Sequence, residues 1–252
     1  MTIHFGVCKF TITSLPFAVY IALMAILLSL GNWQLSRSEQ KQVFLAEQAQ
    51  KSKMEPLRIG SELPSDIKAI RYRRVEMTGY YDIDRQFLLD NQIRHGKAGY
   101  FVMTPLQLDH SGTSVLINRG WVEVSSDRKI LPDVSLQNKA VTIRGRINTF
   151  PEVGIHLAGA ETPSEGWPAL VQVIDSKILS DKLGYPLADY QIELDPSASD
   201  GYLREWRIAT AIPPEKHIAY AMQWFGLALT LTALFIWYGC KKSHERSTKE
   251  KP

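Results

Sequence analysis

Near the end of the chain, the stretch EKHIAYAMQWFGLA sets a histidine, His217, close to Tyr220, Ala221 and Trp224. At about 3.6 residues per turn these positions share one face of a helix, so the imidazole is expected to stand over a groove of aromatic and small side chains. Such a groove suits a flat apolar ligand, and a histidine within it can serve as an axial ligand to a haem iron. The same spacing also describes an interfacial histidine in a belt of Tyr and Trp at a membrane surface, and spacing alone leaves both readings open.

A second distinctive segment is Asn118-Arg119-Gly120-Trp121-Val122, at the end of an apolar run. Arginine offers a rigid fork of five donors, tryptophan a large face for contact, and glycine the freedom for a sharp turn or bulge. Arg119 and Trp121 are therefore candidate partner-binding residues; alternatively Arg119 pairs with a carboxylate such as Asp90 while Trp121 fills the core. Asp82 and Asp84 are spaced to share one face of a strand, where paired carboxylates usually face solvent. The patterns GxSxG, HExxH, GxGxxG and a phosphate-binding P-loop are missing, and no acid-base-nucleophile set stands out. The chain is not expected to be an enzyme.

Cys8 and Cys240 are the only cysteines. That count excludes a CxxC redox pair and a thiolate copper site in the central segment, and no structural disulfide or resident metal is expected there.

The elements that must position these residues follow from where apolar side chains collect. With 45% hydrophobic and 22% charged residues the chain resembles an ordinary folded domain, but the average conceals two runs. Leu15 to Trp33 and Ile218 to Cys240 carry no charge. A bilayer core of roughly 30 Å takes about 20 mainly apolar residues in a helix, so transmembrane helices are expected over 15–34 and 217–240. The first run also admits a cleaved signal peptide, with Ser29-Leu30-Gly31 as a processing site; its length and the single Lys9 before it favour a span. Residues 1–14 then form an N-terminal cytoplasmic segment, 35–55 a helical stalk, 56–214 an exported domain, and 241–252 a basic tail.

Lys241, Lys242, Arg246, Lys249 and Lys251 crowd one side of the second run, against Lys216 on the other. Basic residues beside a span mark its cytoplasmic side, so both termini are expected in the cytoplasm. The net charge of +3 thus reads as a topology signal that can also touch anionic lipid, and no nucleic-acid partner is expected.

Between the spans, Pro56, Gly60 and Pro64 mark a loop-rich boundary. From Arg71 onward come short β-favouring runs: YRRVEMTGYYD, QFLLDNQ, GYFVMTPLQL, SVLINRGWVEV and AVTIRGRIN. Val75, Met77 and Gly79 alternate with polar neighbours, Val115-Leu116-Ile117 suits a strand buried on both faces, and Asp109 to Gly112 suits a turn. A long surface loop is expected over Gly154–Pro168. After it come VQVIDS, a short helix over Lys177–Lys182, the run YQIELDP, and a last strand over Trp206–Ala211. Pro213 and Pro214 break the chain before the second span. The expected fold is membrane-anchored α+β: two transmembrane helices flanking a mainly antiparallel β domain, closed as a barrel or a sandwich.

Several segments together resemble the surfeit locus protein 1 family. Gly31-Asn32-Trp33-Gln34-Leu35 with Arg37 and Lys41 is similar to its "GxWQxxR" exit from the first span. Arg73, Gly79, Tyr81, Asp90-Asn91, Gly99-Tyr100 and Thr104-Pro105 resemble its central strands. Val115 to Val122 resembles its "VLVNRGWV" element with Ile117 replacing a valine, and His217, Tyr220, Gln223, Trp224 and Phe225 resemble its second-span entrance.

The resemblance implies an assembly factor for haem-copper cytochrome c oxidase that delivers or stabilises haem a while subunit I is built, with His217 matching the family's haem-ligand histidine and Tyr220 and Trp224 beside it. It implies subunit I and other assembly factors as partners. The alternative is a cofactor-free scaffold that stabilises an assembly intermediate. No Arg-rich amphipathic targeting segment precedes the first run, which favours a bacterial inner membrane with the central domain in the periplasm. Alkaline phosphatase needs disulfides and is active only outside the cytoplasm. Fused after the basic tail it is expected to stay inactive, and inserted into the Asp109 to Gly112 turn it is expected to be active; the reverse pattern would overturn the orientation.

Overall fold

The computed structural model describes the backbone of residues 2–5, 8–11, 14–60, 63, 64, 66–108, 112–137, 140–151, 158–206 and 212–249, with side chains from 14 to 241 within those ranges. In chain order the elements are β1 (Thr2–Phe5), β2 (Cys8–Thr11), α1 (Ser14–Lys53), β3 (Leu57–Ile59), α2 (Ile67–Ile70), β4 (Arg74–Tyr81), β5 (Phe87–Arg94), β6 (Lys97–Leu108), β7 (Ser114–Glu123), β8 (Ala140–Asn148), β9 (Ala169–Val171), α3 (Ser176–Leu183), β10 (Leu187–Leu194) and α4 (Pro214–Lys249). They divide into two compact units, one of Met1–Ala46 with Ile208–Pro252, the other of Glu47–Arg207.

The first unit is built on α1 and α4, with β1 and β2 paired antiparallel. Both helices are long and apolar enough to cross a membrane, and only 6% and 11% of their apolar windows are buried inside the protein. A soluble core helix would show the opposite. The helical stretch expected over 35–55 continues the first apolar run: α1 runs unbroken for 40 residues, about 60 Å at 1.5 Å per residue, and no Gly or Pro falls between Asn32 and Lys53. α4 begins at Pro214, where the preset φ of proline suits the first helical turn and its missing N–H costs no bond.

The two helices pack antiparallel. Tyr20 stacks on Phe235 with ring centroids 4.4 Å apart, and its hydroxyl lies 3.2 Å from Thr232 Oγ1. Gly31 meets the Phe225 ring so closely that an added Cβ would lie 2.4 Å from it. Further along, Gln34 reaches His217 and Ser38 reaches Pro214. Small residues at such crossings let backbones approach, which is how helices associate where no water drives them together.

In the second unit all eight strands join one sheet in the order β3-β4-β8-β10-β7-β6-β5-β9, and an additional β4–β6 pairing returns the order to its own middle. Gly79, Tyr80 and Tyr81 pair with Leu108, Gln107 and Leu106, so β4, β8, β10, β7 and β6 form a hydrogen-bonded circuit, not two facing sheets. Most pairings are antiparallel, as expected. Three are parallel: β3–β4, β5–β9 and β7–β10. The sheet is therefore mixed, with β10 entering between β7 and β8.

Alternation accounts for the core. β4 shows alternate burial, with Val75 and Met77 inward. In β7, Val115 and Ile117 join one cluster while Leu116 joins another, because successive strand residues point to opposite faces and this strand is covered on both. The expected short helix is α3, capped by Asp175 and ended by Gly184 at φ 80°.

Asp82 and Asp84 do not share a strand face. β4 ends at Tyr81, and both lie in the following turn, where Asp82 accepts from Tyr185 Oη at 2.7 Å and pairs with Arg85 at 2.8 Å. The expected turn at Asp109–Ser111 and residues 207–211 of the expected last strand lie outside the described residues, as do 154–157 of the expected loop.

The β6–β7 register shifts between Phe101 and Met103, opposite Gly120 at φ 111°. A Cβ on Gly120 would lie 2.8 Å from Leu203 O. Gly120→Ala is expected to cost about 1–3 kcal/mol, read as a lower thermal midpoint of the detergent-solubilised protein; an unchanged midpoint would remove the strain account.

Candidate functional site

His217 sits in the first turn of α4 and is 8% exposed. Its Nδ1 lies 2.7 Å from Oε1 of Gln34 on α1. An amide oxygen only accepts, so Nδ1 is the donor in this bond and Nε2 is the ring nitrogen outside it. Four residues further along α1, the Ser38 hydroxyl, 3% exposed, donates to Pro214 O at 3.1 Å.

The stripe of α4 that meets α1 is Pro214, His217, Ala221 and Ala228, all buried, with Trp224 and Phe225 half-buried beside it. Tyr220 departs from the expected groove: at 48% exposed it faces away from α1. About 60° of helical rotation separates it from His217, and α1 covers the other side of that arc. The structure thus brings His217, Ala221 and Trp224 together and leaves Tyr220 outside. Gln34 and Ser38 carried no role in the sequence reading. Their signal was present: two uncharged hydrogen-bonding residues four apart, on one helical face where the apolar run ends.

In the second unit, Arg119 is 3% exposed and, among the described residues, hydrogen-bonds to no carboxylate. Nε donates to Asp200 O at 2.7 Å, Nη1 donates to Gln86 Oε1 and to Val134 O at 3.0 Å each, and the guanidinium lies 5.1 Å from the Tyr202 ring centroid. Gln86 accepts from Thr104 Oγ1 at 2.8 Å and donates to Ile83 O and Val134 O. Burial pushes the Arg119 pKa down, and nearby Tyr202, Tyr81 and Asp200 work against that shift. The expected pairing with Asp90 is corrected: Asp90 accepts from its neighbour Asn91 N at 2.7 Å and faces Arg128 at 3.9 Å.

Trp121 is 8% exposed, belongs to a core cluster, and donates from Nε1 to Gln92 O at 2.8 Å. It covers Gly99, where a Cβ would strike the indole at 2.4 Å. Both candidate partner-binding residues are thus interior. What reaches the surface beside them is a cleft of about 320 Å³ lined by Arg119, Ser135, Gln137, Ser199, Asp200 and Tyr202.

Among the described residues no three His, Cys, Asp or Glu side chains come together to hold a metal ion.

A mixed β domain flanked in the sequence by two helices long and apolar enough to cross a membrane, with one histidine bonded across the helix pair, defines the class. The chain belongs to the SURF1 family, whose sequence model matches residues 21–229. A "SURF1-like protein" of Rickettsia felis is 28% identical over 225 residues, covering 87% of this chain and 95% of that protein. "Surfeit locus protein 1" of Arabidopsis thaliana is 25% identical, covering 82% and 73%. "Cytochrome oxidase assembly protein SHY1" of Saccharomyces cerevisiae is 32% identical over 105 residues, 41% of this chain and 26% of that protein.

Arg119 supplies donors to three acceptors, of which Gln86 Oε1 and Val134 O keep a second donor; Arg119→Met would leave Asp200 O without one and remove the guanidinium's packing on Tyr202. A loss of roughly 3 kcal/mol is expected, with only partial recovery by Arg119→Lys, whose single ammonium cannot span the same acceptors. Thermal unfolding of the two variants beside the parent checks this; equal midpoints would overturn the interior role.

Proposed function

We propose that this chain is an assembly factor for haem-copper cytochrome c oxidase and that it holds haem a transiently while subunit I matures. The observation that carries the reading is His217: a mostly buried histidine, oriented through Nδ1 by Gln34, in a family whose yeast relative is named for oxidase assembly. Haem a is cargo here, and its iron supplies an open axial position.

The residues fit that cargo in two respects. Nε2 is the ring nitrogen left to ligate, and half-buried Trp224 and Phe225 give apolar surface on the same helix. Lys216 adjoins His217, and Arg37 lies about one turn beyond Gln34, so cations suited to propionates stand near both. Tyr220, facing outward, would act through the membrane interface, not through the His217 groove.

The proposed setting is a bacterial inner membrane, with both termini cytoplasmic and the β domain periplasmic. The two apolar helices, the basic residues after Cys240 and the relatives from Rickettsia support it. Subunit I and other assembly factors are the proposed partners, and no catalytic step is assigned to the chain.

A second reading, a cofactor-free scaffold, is favoured by the 8% exposure of His217, which also suits a purely structural histidine. Its contact surface would be the rim of the Arg119 cleft, with Trp121 supporting that rim from the core.

Membranes of a deletion strain are expected to lose the a-type haem signal and oxidase activity while subunit I remains detectable. Wild type should restore both and His217→Ala should not. Normal haem a and activity in the deletion strain would overturn the assembly role, and full restoration by His217→Ala would move the conclusion to the scaffold.

A further inference from the structure

Beyond the bond from Gln34, His217 makes no hydrogen bond among the described residues. Its Nε2 is also absent from the sealed side-chain atoms that lack a partner, which include both amide atoms of Gln48 and the hydroxyls of Tyr81 and Tyr190. A residue that is 92% covered thus keeps one ring nitrogen both unbonded and reachable. The bond from Nδ1 thus fixes the ring and leaves Nε2 as the nitrogen outside it.

We infer that Gln34 is the positioning residue of the site: it holds His217 in the Nδ1-protonated tautomer and so makes Nε2 a neutral, preformed ligand for an incoming iron. The inference rests on the haem reading above for the identity of the metal, while the tautomer itself does not depend on it.

The choice of an amide has a chemical consequence. Metal-bound histidines commonly donate their second N–H to a carboxylate or carbonyl, which fixes the ring and raises its basicity. A carboxylate polarises the ring towards imidazolate and gives a strong, lasting ligand. The neutral Oε1 of Gln34, at 2.7 Å, fixes the same tautomer with less push, and it brings no added charge to the helix pair. A ligand oriented but not strengthened can bind a porphyrin iron and then release it, as cargo requires. The neighbours support this assignment: the Ser38 hydroxyl is committed to Pro214 O, and Arg37 Nη1 donates to Gln40 Oε1 at 3.1 Å.

The test is made on the full-length protein in detergent micelles, labelled with 15N-histidine, with the His217 signals identified by their loss in His217→Ala. The wild-type ring is expected to show a protonated Nδ1 and a bare Nε2, and Gln34→Leu to lose that pattern. A wild-type ring protonated on Nε2, or a pattern unchanged in Gln34→Leu, overturns the inference without any haem present. Ferric protoporphyrin IX is then titrated into the same proteins. Gln34→Leu should weaken binding about 10- to 100-fold, and Gln34→Glu should restore it with slower release. If His217→Ala binds as wild type does, the haem reading fails while the tautomer result stands. If His217→Ala loses binding and Gln34→Leu keeps it, Gln34 is overturned and the haem reading survives.

Discussion

A guanidinium withdrawn from water without a carboxylate beside it persists only where neutral acceptors surround it. Arg119 meets that condition through the carbonyls of Asp200 and Val134, the amide oxygen of Gln86 and the face of Tyr202. Those groups come from the start of β5 and from two segments without regular structure, around 134 and around 200 to 202. The charge therefore organises chain that no strand ladder fixes, and Tyr202 N and Leu203 N in turn bond back to Arg119 O and Trp121 O. Removing the guanidinium from such a shell leaves Asp200 O without its donor and the shell without its shared partner, whereas removing an exposed ion pair such as Lys97 with Glu123 leaves only groups that water can satisfy.

The helix pair obeys a parallel rule with uncharged groups. Two apolar helices have little to gain from each other in lipid beyond close packing and a few hydrogen bonds. The Tyr20–Thr232, Gln34–His217 and Ser38–Pro214 contacts supply those bonds, and Gly31 supplies the close approach to Phe225. Together they fix which face of α4 meets α1, and hence that His217 turns inward while Tyr220 does not. The orientation of the candidate ligand is thus a by-product of how the helices recognise each other.

Contiguous and periodic signals were legible in the sequence. The two uncharged runs became α1 and α4, the alternation at Val75 and Met77 became a half-buried strand, and Val115 to Ile117 became a strand covered on both faces. What escaped depends on contacts distant along the chain. Arg119 was expected to seek a carboxylate, but its acceptors lie at 86, 134 and 200 and are mostly backbone, which every residue carries and which no side-chain pattern announces. Asp82 and Asp84 looked like strand neighbours because period-two spacing does not mark where a strand stops. The placement of β10 parallel to β7 was hidden for the same reason: each strand signals its own burial, not its partner. Gln34 was visible as part of the motif at the end of the first apolar run, but its bond to His217 needed the facing helix.

The place of β10 between β7 and β8 has a consequence for how the protein is made. Synthesis is vectorial, and β7 and β8 emerge with open edges long before the strand that bridges them. Until residue 194 has left the ribosome the ring of strands has a gap, and the backbone donors and acceptors along it are free to pair with whatever is nearby. The closing strand arrives only about twenty residues before α4 begins. Completion of the sheet and synthesis of the second apolar helix thus fall close together in time, so that a truncation before this short interval would leave the ring of strands open. Long-range closure of this kind is slow relative to local folding, which makes the final fifth of the chain the stretch where protection by a folding helper matters most.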